Sequence, residues 1–349
     1  MAASFQKEET TMSNNTIRRR TLLAGAASVP AFAILTRRGD AAQFRWKMAT
    51  GQEPTHPVNI RAAQAIKAIR EATHGGLEIK LYPAAQLGTD KQLIAQTRLG
   101  GIQIMNMASS ILATTIPAAG IVNIGYAFLT PKDVWAAVDG PLGAYIAKKI
   151  DAHGMHQIGP SWENGFRNVT SGTKPVRTPA DLHNFKIRVP PAPILSSMFA
   201  AFGAAPTAID FSEVYTSLEN HVVDGQENPL PIIYTAKLYD VQKYLSMTRH
   251  AWDGYLIIGN KPAFARLPAK WQDIVTEEFG KAGHAERQDI ADLGNSLKSK
   301  LAAKGMTVLD VDKAAFRSVL GKKKYYPHWK QKFGAEAWGL LEKTAGPLE

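Results

Sequence analysis

The chain has 349 residues, no cysteine, 45% hydrophobic residues, 20% charged residues and a formal net charge of +11. That length suits one large or two medium domains, with ample apolar material for a core. Without cysteine there is no structural disulfide, thiolate metal site, cysteine nucleophile or lipid-modified cysteine anchor.

A basic balance draws nucleic acid, anionic lipid or anionic small molecules. No zinc-finger spacing and no aromatic RNA-binding octapeptide is present, so no nucleic-acid partner is expected. Part of the charge sits at the N-terminus, where residues 1–42 hold six basic side chains (Lys7, Arg18, Arg19, Arg20, Arg37, Arg38) and three acidic ones (Glu8, Glu9, Asp40). The order there is an arginine pair, Leu22-Leu23, an uncharged stretch from Thr21 to Thr36, and then Asp40-Ala41-Ala42. It reads as a signal peptide of twin-arginine type over residues 1–42, cleaved near Ala41 or Ala42. Met12 lies at a more usual distance from the arginines than Met1. The apolar stretch falls short of the ~20 residues of a spanning helix, so export to the periplasm is expected rather than anchoring.

Downstream, Phe44–Ala49 reads as a strand. Asn59–Thr73 reads as an amphipathic helix with Ile60, Ala63, Ile66, Ala68 and Ile69 spaced for one face, ended by Gly75-Gly76. Leu77–Tyr82 alternates as a strand, Asp90–Leu99 is a second helix and Ile102–Met107 a third strand. This rhythm predicts an α/β domain with a mainly parallel sheet. The uncharged segment Ile102–Pro131 carries too many polar residues to face lipid and reads as buried strand, loop and core helix. His153 and His156 flank Gly154 at a helix end and read as a solvated turn rather than a metal pair. Strands follow near Asn168–Thr170, Phe185–Val189, Ala204–Ala208 and Val222–Gln226. A helix from Pro268 to about Lys304 would be roughly 54 Å long at ~1.5 Å per residue, enough to span two lobes.

The usual catalytic patterns (G-x-S-x-G, H-E-x-x-H, G-x-x-x-x-G-K, G-x-G-x-x-G) are missing, which lowers the prior for an enzyme. What stands out is Glu163-Asn164-Gly165-Phe166-Arg167, Lys186-Ile187-Arg188-Val189-Pro190, Phe211-Ser212-Glu213-Val214-Tyr215, Asp224-Gly225-Gln226-Glu227-Asn228-Pro229 and Leu245-Ser246-Met247-Thr248-Arg249-His250. In this order, together with Ala85-Gln86-Leu87-Gly88, they resemble the DctP-type solute-binding proteins of tripartite ATP-independent periplasmic (TRAP) transporters. The resemblance covers roughly residues 44–340.

It implies an α/β, two-lobed periplasmic binding protein fold with crossing segments, a long lobe-spanning helix and a ligand cleft between lobes. The expected lobes are 43–164 plus 253–292, and 165–252 plus 293–349. It implies capture of a small carboxylate and delivery to membrane permease subunits, with no reaction and no cofactor; a metal ion belongs to the keto-acid-binding members, and no matching ligand set is located in this sequence. The implied clamp is Arg188, whose guanidinium offers a bidentate fork to a carboxylate. Arg167, Asn228, Phe211, His250, Trp162 and Trp252 are the implied partners around it. Read alone, Arg188 alternates with Ile187 and Val189 and would be a solvated strand residue, Phe211 would be core, and Asp210 with Glu213 would form a capping box. Thr89, Ala108 and Pro191 stand where sialic-acid-binding members carry polar residues, which points to a smaller or more apolar acid. Lys322-Lys323-Lys324-Tyr325-Tyr326 reads as solvated surface, with contact to a partner as the other reading. The alternatives are an exported enzyme acting on a small carboxylate, and a chemosensory or scaffold module.

Overall fold

The computed structural model describes residues 42–349, so the arginine pair and the apolar stretch of the leader lie outside the described residues. β1 (Phe44–Ala49) and β2 (Leu77–Tyr82) pair in parallel over their whole length, in the register Phe44 opposite Leu77. The helix between them, α1 (Pro57–Ala72), starts two residues before the apolar spacing predicts. Pro57 fits a first turn, where a missing N–H costs nothing, and His56 Nδ1 accepts the Val58 N–H at 3.2 Å. α2 (Asp90–Leu99) is held at its start by the Gln92 side chain, which accepts the Thr89 N–H at 2.9 Å, and at its end by left-handed Gly100. β3 (Ile104–Ala108) is wholly buried. The uncharged segment continues as α3 (Ser109–Leu112) and a 3₁₀ turn, Pro117–Asn123, packed inside the core. α4 (Pro131–Val138), α5 (Pro141–Ala152) and β4 (Met155–Gln157) complete this half.

β5 (Trp162–Ser171) then leads into β6 (Lys186–Val189), α6 (Pro193–Ala201), β7 (Ala205–Ala208), α7 (Val214–Glu219), β8 (Gly225–Pro229) and α8 (Leu230–Thr235). β9 (Tyr244–Asn260) returns the chain. α9 (Lys261–Ala265), α10 (Ala269–Ala303), β10 (Thr307–Leu309), α11 (Lys313–Lys322) and α12 (Tyr325–Ala345) follow. The strands form one sheet in the order β2-β1-β3-β9-β5-β8-β6-β7, with β4 and β10 also on β9. It is mixed rather than mainly parallel. β9 runs antiparallel to β3, β4 and β5, because it and β5 carry the chain back and forth between the two halves.

The long helix α10 lies within the predicted Pro268–Lys304 span. It packs on α1 in the first half, on β5 at the crossing, and on α8 and β10 in the second. α12 also touches both halves through the two tyrosines of the basic run, which are buried rather than solvated because they seat on the core: Tyr325 Oη lies 3.4 Å from Ile194 O, and Tyr326 Oη donates to Gly125 O at 3.1 Å. Among the described residues no helix is long and apolar enough to cross a membrane.

Candidate functional site

β5, β6 and β8 lie side by side where the two halves meet, and they deliver the arginines. Arg167 on β5 sits opposite Pro229, and Arg188 on β6 opposite Gln226. Both are almost fully buried, at 2% and 1% exposure, which a solvated strand position would not allow. The alternation along β6 holds, since Lys186 on the same face is exposed; only the far end of that face is covered.

The two guanidiniums have opposite circumstances. Arg167 Nε and Nη2 grip Glu227 in a bidentate pair at 2.5 and 2.8 Å. Nη1 donates to Asp253 at 3.2 Å, and Nη2 also reaches Asn228 Oδ1 at 3.1 Å. Burial works to raise the Glu227 carboxyl, but Arg167 and then His250 overcome it and hold it at about 2. Asp253 is saturated in turn by Ser109, Ser110 and Asn123. Arg167 is thus a tie between strands, with one Nη1 proton left over.

Arg188 has no carboxylate partner. Its Nε donates to Ile209 O at 2.8 Å, and its buried Nη2 has no partner within the protein. Burial pulls it down to about 10. It still carries its charge at neutral pH, desolvated and unpaired, which is costly unless an anion completes it.

Arg188, Arg167, Asn228 and Phe211 line one small, tight cavity. The sequence did not single out Gln52, Asp90, Ser110 or Tyr255, which complete its polar lining, with Ala108, Ile111 and Ile232 as apolar contacts. Tyr255 Oη and Asn164 Oδ1 are also buried without partners. Asp90, at the first turn of α2, is raised to about 6 by burial and by Asp210, against the pull of Arg188. These residues come from segments far apart in sequence, and no local pattern marks them.

The expected capping box is absent. Phe211–Glu213 is a 3₁₀ turn, and Asp210 makes no side-chain cap; its Oδ1 is buried without a partner beside Arg188 and Asp90. The Glu213 N–H bonds the Asp210 carbonyl at 3.1 Å and not its side chain.

Three expected partners lie outside the cavity lining. His250 Nε2 meets Glu227 at 2.9 Å and Nδ1 meets Thr248 Oγ1 at 2.9 Å, and burial lowers its pKa in spite of Glu227. The neutral ring with its proton on Nε2 fits that ionised acceptor. His250 therefore props the Arg167–Glu227 pair. Trp252 donates Nε1 to Glu163 at 2.6 Å and packs edge-on against Phe128 and Trp135. Trp162 is fully buried against α10, where a Cβ on Gly283 would fall 2.5 Å from its Nε1. Both tryptophans are core residues, as half-apolar bodies ordinarily are. Of the three specificity positions, Ala108 lines the cavity, Thr89 caps α2 beside it, and Pro191 does neither. His153 and His156 lean on Lys149 O and Asp151. Among the described residues no group of three His, Asp or Glu side chains is placed to hold a metal ion.

Comparison with known proteins agrees with this architecture. The family model described as bacterial extracellular solute-binding protein, family 7 (DctP), matches residues 48–331. The 2,3-diketo-L-gulonate-binding periplasmic protein YiaO of Escherichia coli K12 is 32% identical over 282 residues, covering 80% of this chain and 85% of the relative. A TRAP periplasmic solute-binding protein of Roseobacter denitrificans with bound L-galactonate superposes with a TM-score of 0.81 at 28% identity, covering 87% of this chain and 99% of that one. One from Polaromonas with bound D-erythronate gives a TM-score of 0.83 at 26% identity, covering 87% and 98%. The chain belongs to the DctP family of solute-binding proteins.

Proposed function

We propose that this DctP-family protein captures a small hydroxylated monocarboxylate in the cavity under Arg188 and hands it to the permease of a TRAP transporter. The unpaired, buried Arg188 guanidinium is the observation that carries this reading. A ligand carboxylate would restore the charge partner that the protein withholds, at closest strength in a site shielded from water. Asn228 donates to Gln226 and accepts from Arg167, so it keeps one amide proton for the ligand. Phe211 offers an apolar wall. The orphaned Asp210 and Asn164 oxygens and the half-buried Asp90 call for donors, which hydroxyl groups supply and a purely apolar acid does not. This polar lining outweighs the apolar acid suggested by Thr89, Ala108 and Pro191.

In this reading the lobes are 43–164 plus 253–292, and 165–252 plus 293–349. They hinge across β5 and β9, and closure dries the ion pair. The leader directs export by the twin-arginine route. The relatives described above are named for binding, and we assign the chain no reaction.

The test is thermal denaturation of the mature protein against D-erythronate, galactonate, succinate and acetate. A ligand at 100 times its Kd adds about 2.7 kcal/mol, several degrees for a chain of this size. A selective rise with a hydroxy acid that vanishes in Arg188→Gln is expected. An equal rise with that variant would remove Arg188 from the site.

A further inference from the structure

β5 presents a different pocket on each face. Asn164 and Arg167 line the ligand cavity, whereas Glu163, Gly165, Phe166 and Asn168 line a second cleft of about 450 Å³. Here β9 slips against β5. Arg167 faces Ala251 and Val169 faces Ser246, so Met247–His250 bulge out opposite Asn168 alone. Within the bulge Arg249 takes φ +43°, a left-handed conformation that costs a non-glycine residue roughly 1–2 kcal/mol. Asn168 Oδ1 secures it by accepting the Arg249 N–H at 3.1 Å. Strain of this kind gathers where a side chain has to be aimed.

The bulge aims Arg249 into the second cleft. Its guanidinium lies 3.9 Å above the Phe166 ring and makes one long hydrogen bond, Nη2 to Leu129 O at 3.4 Å. The Glu163 carboxyl lines the same cleft and acts on it electrostatically, but no carboxylate of the described residues is in ion-pair contact with it. Its neighbour in the cleft, Arg287, is already committed. It pairs with Asp139 through two bonds of 2.7 Å, donates to Ser161 O, and lies 3.8 Å above Trp135. Beside the Glu163 and Asn168 side chains, Trp135, Pro229, Leu230 and Ile290 give the cleft apolar walls. An uncommitted cation on an aromatic floor between apolar walls suits an anion with a flat or branched apolar body.

We propose that this cleft is a second ligand site, taking a small organic monoanion with its carboxylate on Arg249 and its apolar body against Phe166, Trp135 and Leu230. The site stands on residues separate from Arg188 and does not depend on what the first cavity binds.

The experiment titrates benzoate into the mature protein by calorimetry, with Arg188→Gln, Arg249→Gln and Ala291→Glu alongside. Ala291 is an exposed position on α10 that lines this cleft, so Glu there adds a competing carboxylate without disturbing the core. Saturable binding that persists in Arg188→Gln and weakens at least tenfold in both other variants is expected. Unchanged affinity in Arg249→Gln and Ala291→Glu would overturn the proposal. So would loss confined to Arg188→Gln, which would place benzoate in the first cavity, or no saturable binding at all.

Discussion

Arg167 and Arg188 occupy the two strands that flank β8, are equally buried, and differ in one respect: whether the protein itself supplies the counter-charge. Glu227 does so for Arg167, and that pair is structural. Removing one partner of a buried pair leaves the other charge stranded, so Glu227→Ala should cost about 3–5 kcal/mol in denaturant unfolding. A loss below about 1 kcal/mol would mean that Asp253 alone can hold Arg167. Glu163 poses the opposite case. Burial lifts its carboxyl to about 7 against the Trp252 hydrogen bond, from an ordinary value of 4.5. Between those two values the folded protein keeps a proton that the unfolded chain releases, so stability falls as pH rises from about 4.5 to about 7. Glu163→Gln keeps the acceptor for Trp252 and removes this loss. Relative to the parent, the variant should gain up to roughly 3 kcal/mol at pH 8 and little at pH 4.5. Parallel stability curves across that range would refute the assignment.

Elements set these residues in place through irregularities as much as through regular pairing. The bulge of β9 sets four residues, Met247–His250, opposite Asn168 alone, and within it His250 meets Glu227 while Arg249 is held by Asn168. A second irregularity lies in α12, where Gly334 adopts φ 81° and ψ 166° inside the helix. That region is open essentially to glycine alone. A Cβ at Gly334 would meet nothing within 4 Å, so the cost of Gly334→Ala is purely one of backbone conformation. We expect a stability loss of about 1–3 kcal/mol with ligand-induced shifts retained. An unchanged melting midpoint would show that the kink is not needed to seat Trp338 and Leu341.

For the whole molecule, the consequence is mechanical. β5 and β9 are the sheet strands that carry the chain between the halves, while α10 and α12 lie across both. Closure of the cleft is then a bend in two strands under a long strut. In small-angle scattering the radius of gyration should fall when the hydroxy acid that stabilises the parent is added. The same addition to Arg188→Gln should leave it unchanged. Contraction in that variant would mean that closure is driven by other contacts.

Much of this could be read along the chain. The strands Phe44–Ala49 and Leu77–Tyr82, the helix Asp90–Leu99 and the long helix ending at Gly305 all announce themselves locally, because period, capping residues and glycine act within a few positions. The motif order around Arg188 and Asn228 carried the family. Three-dimensional packing alone decided which arginine was paired. Sequence spacing says nothing of Glu227 meeting Arg167 across 60 residues, or of Asp90 approaching Arg188 from the other half. His250, Trp162 and Trp252 sit beside the right motifs and still miss the cavity. A strand sends neighbouring residues to opposite faces, and only the folded sheet determines which face lines the cavity.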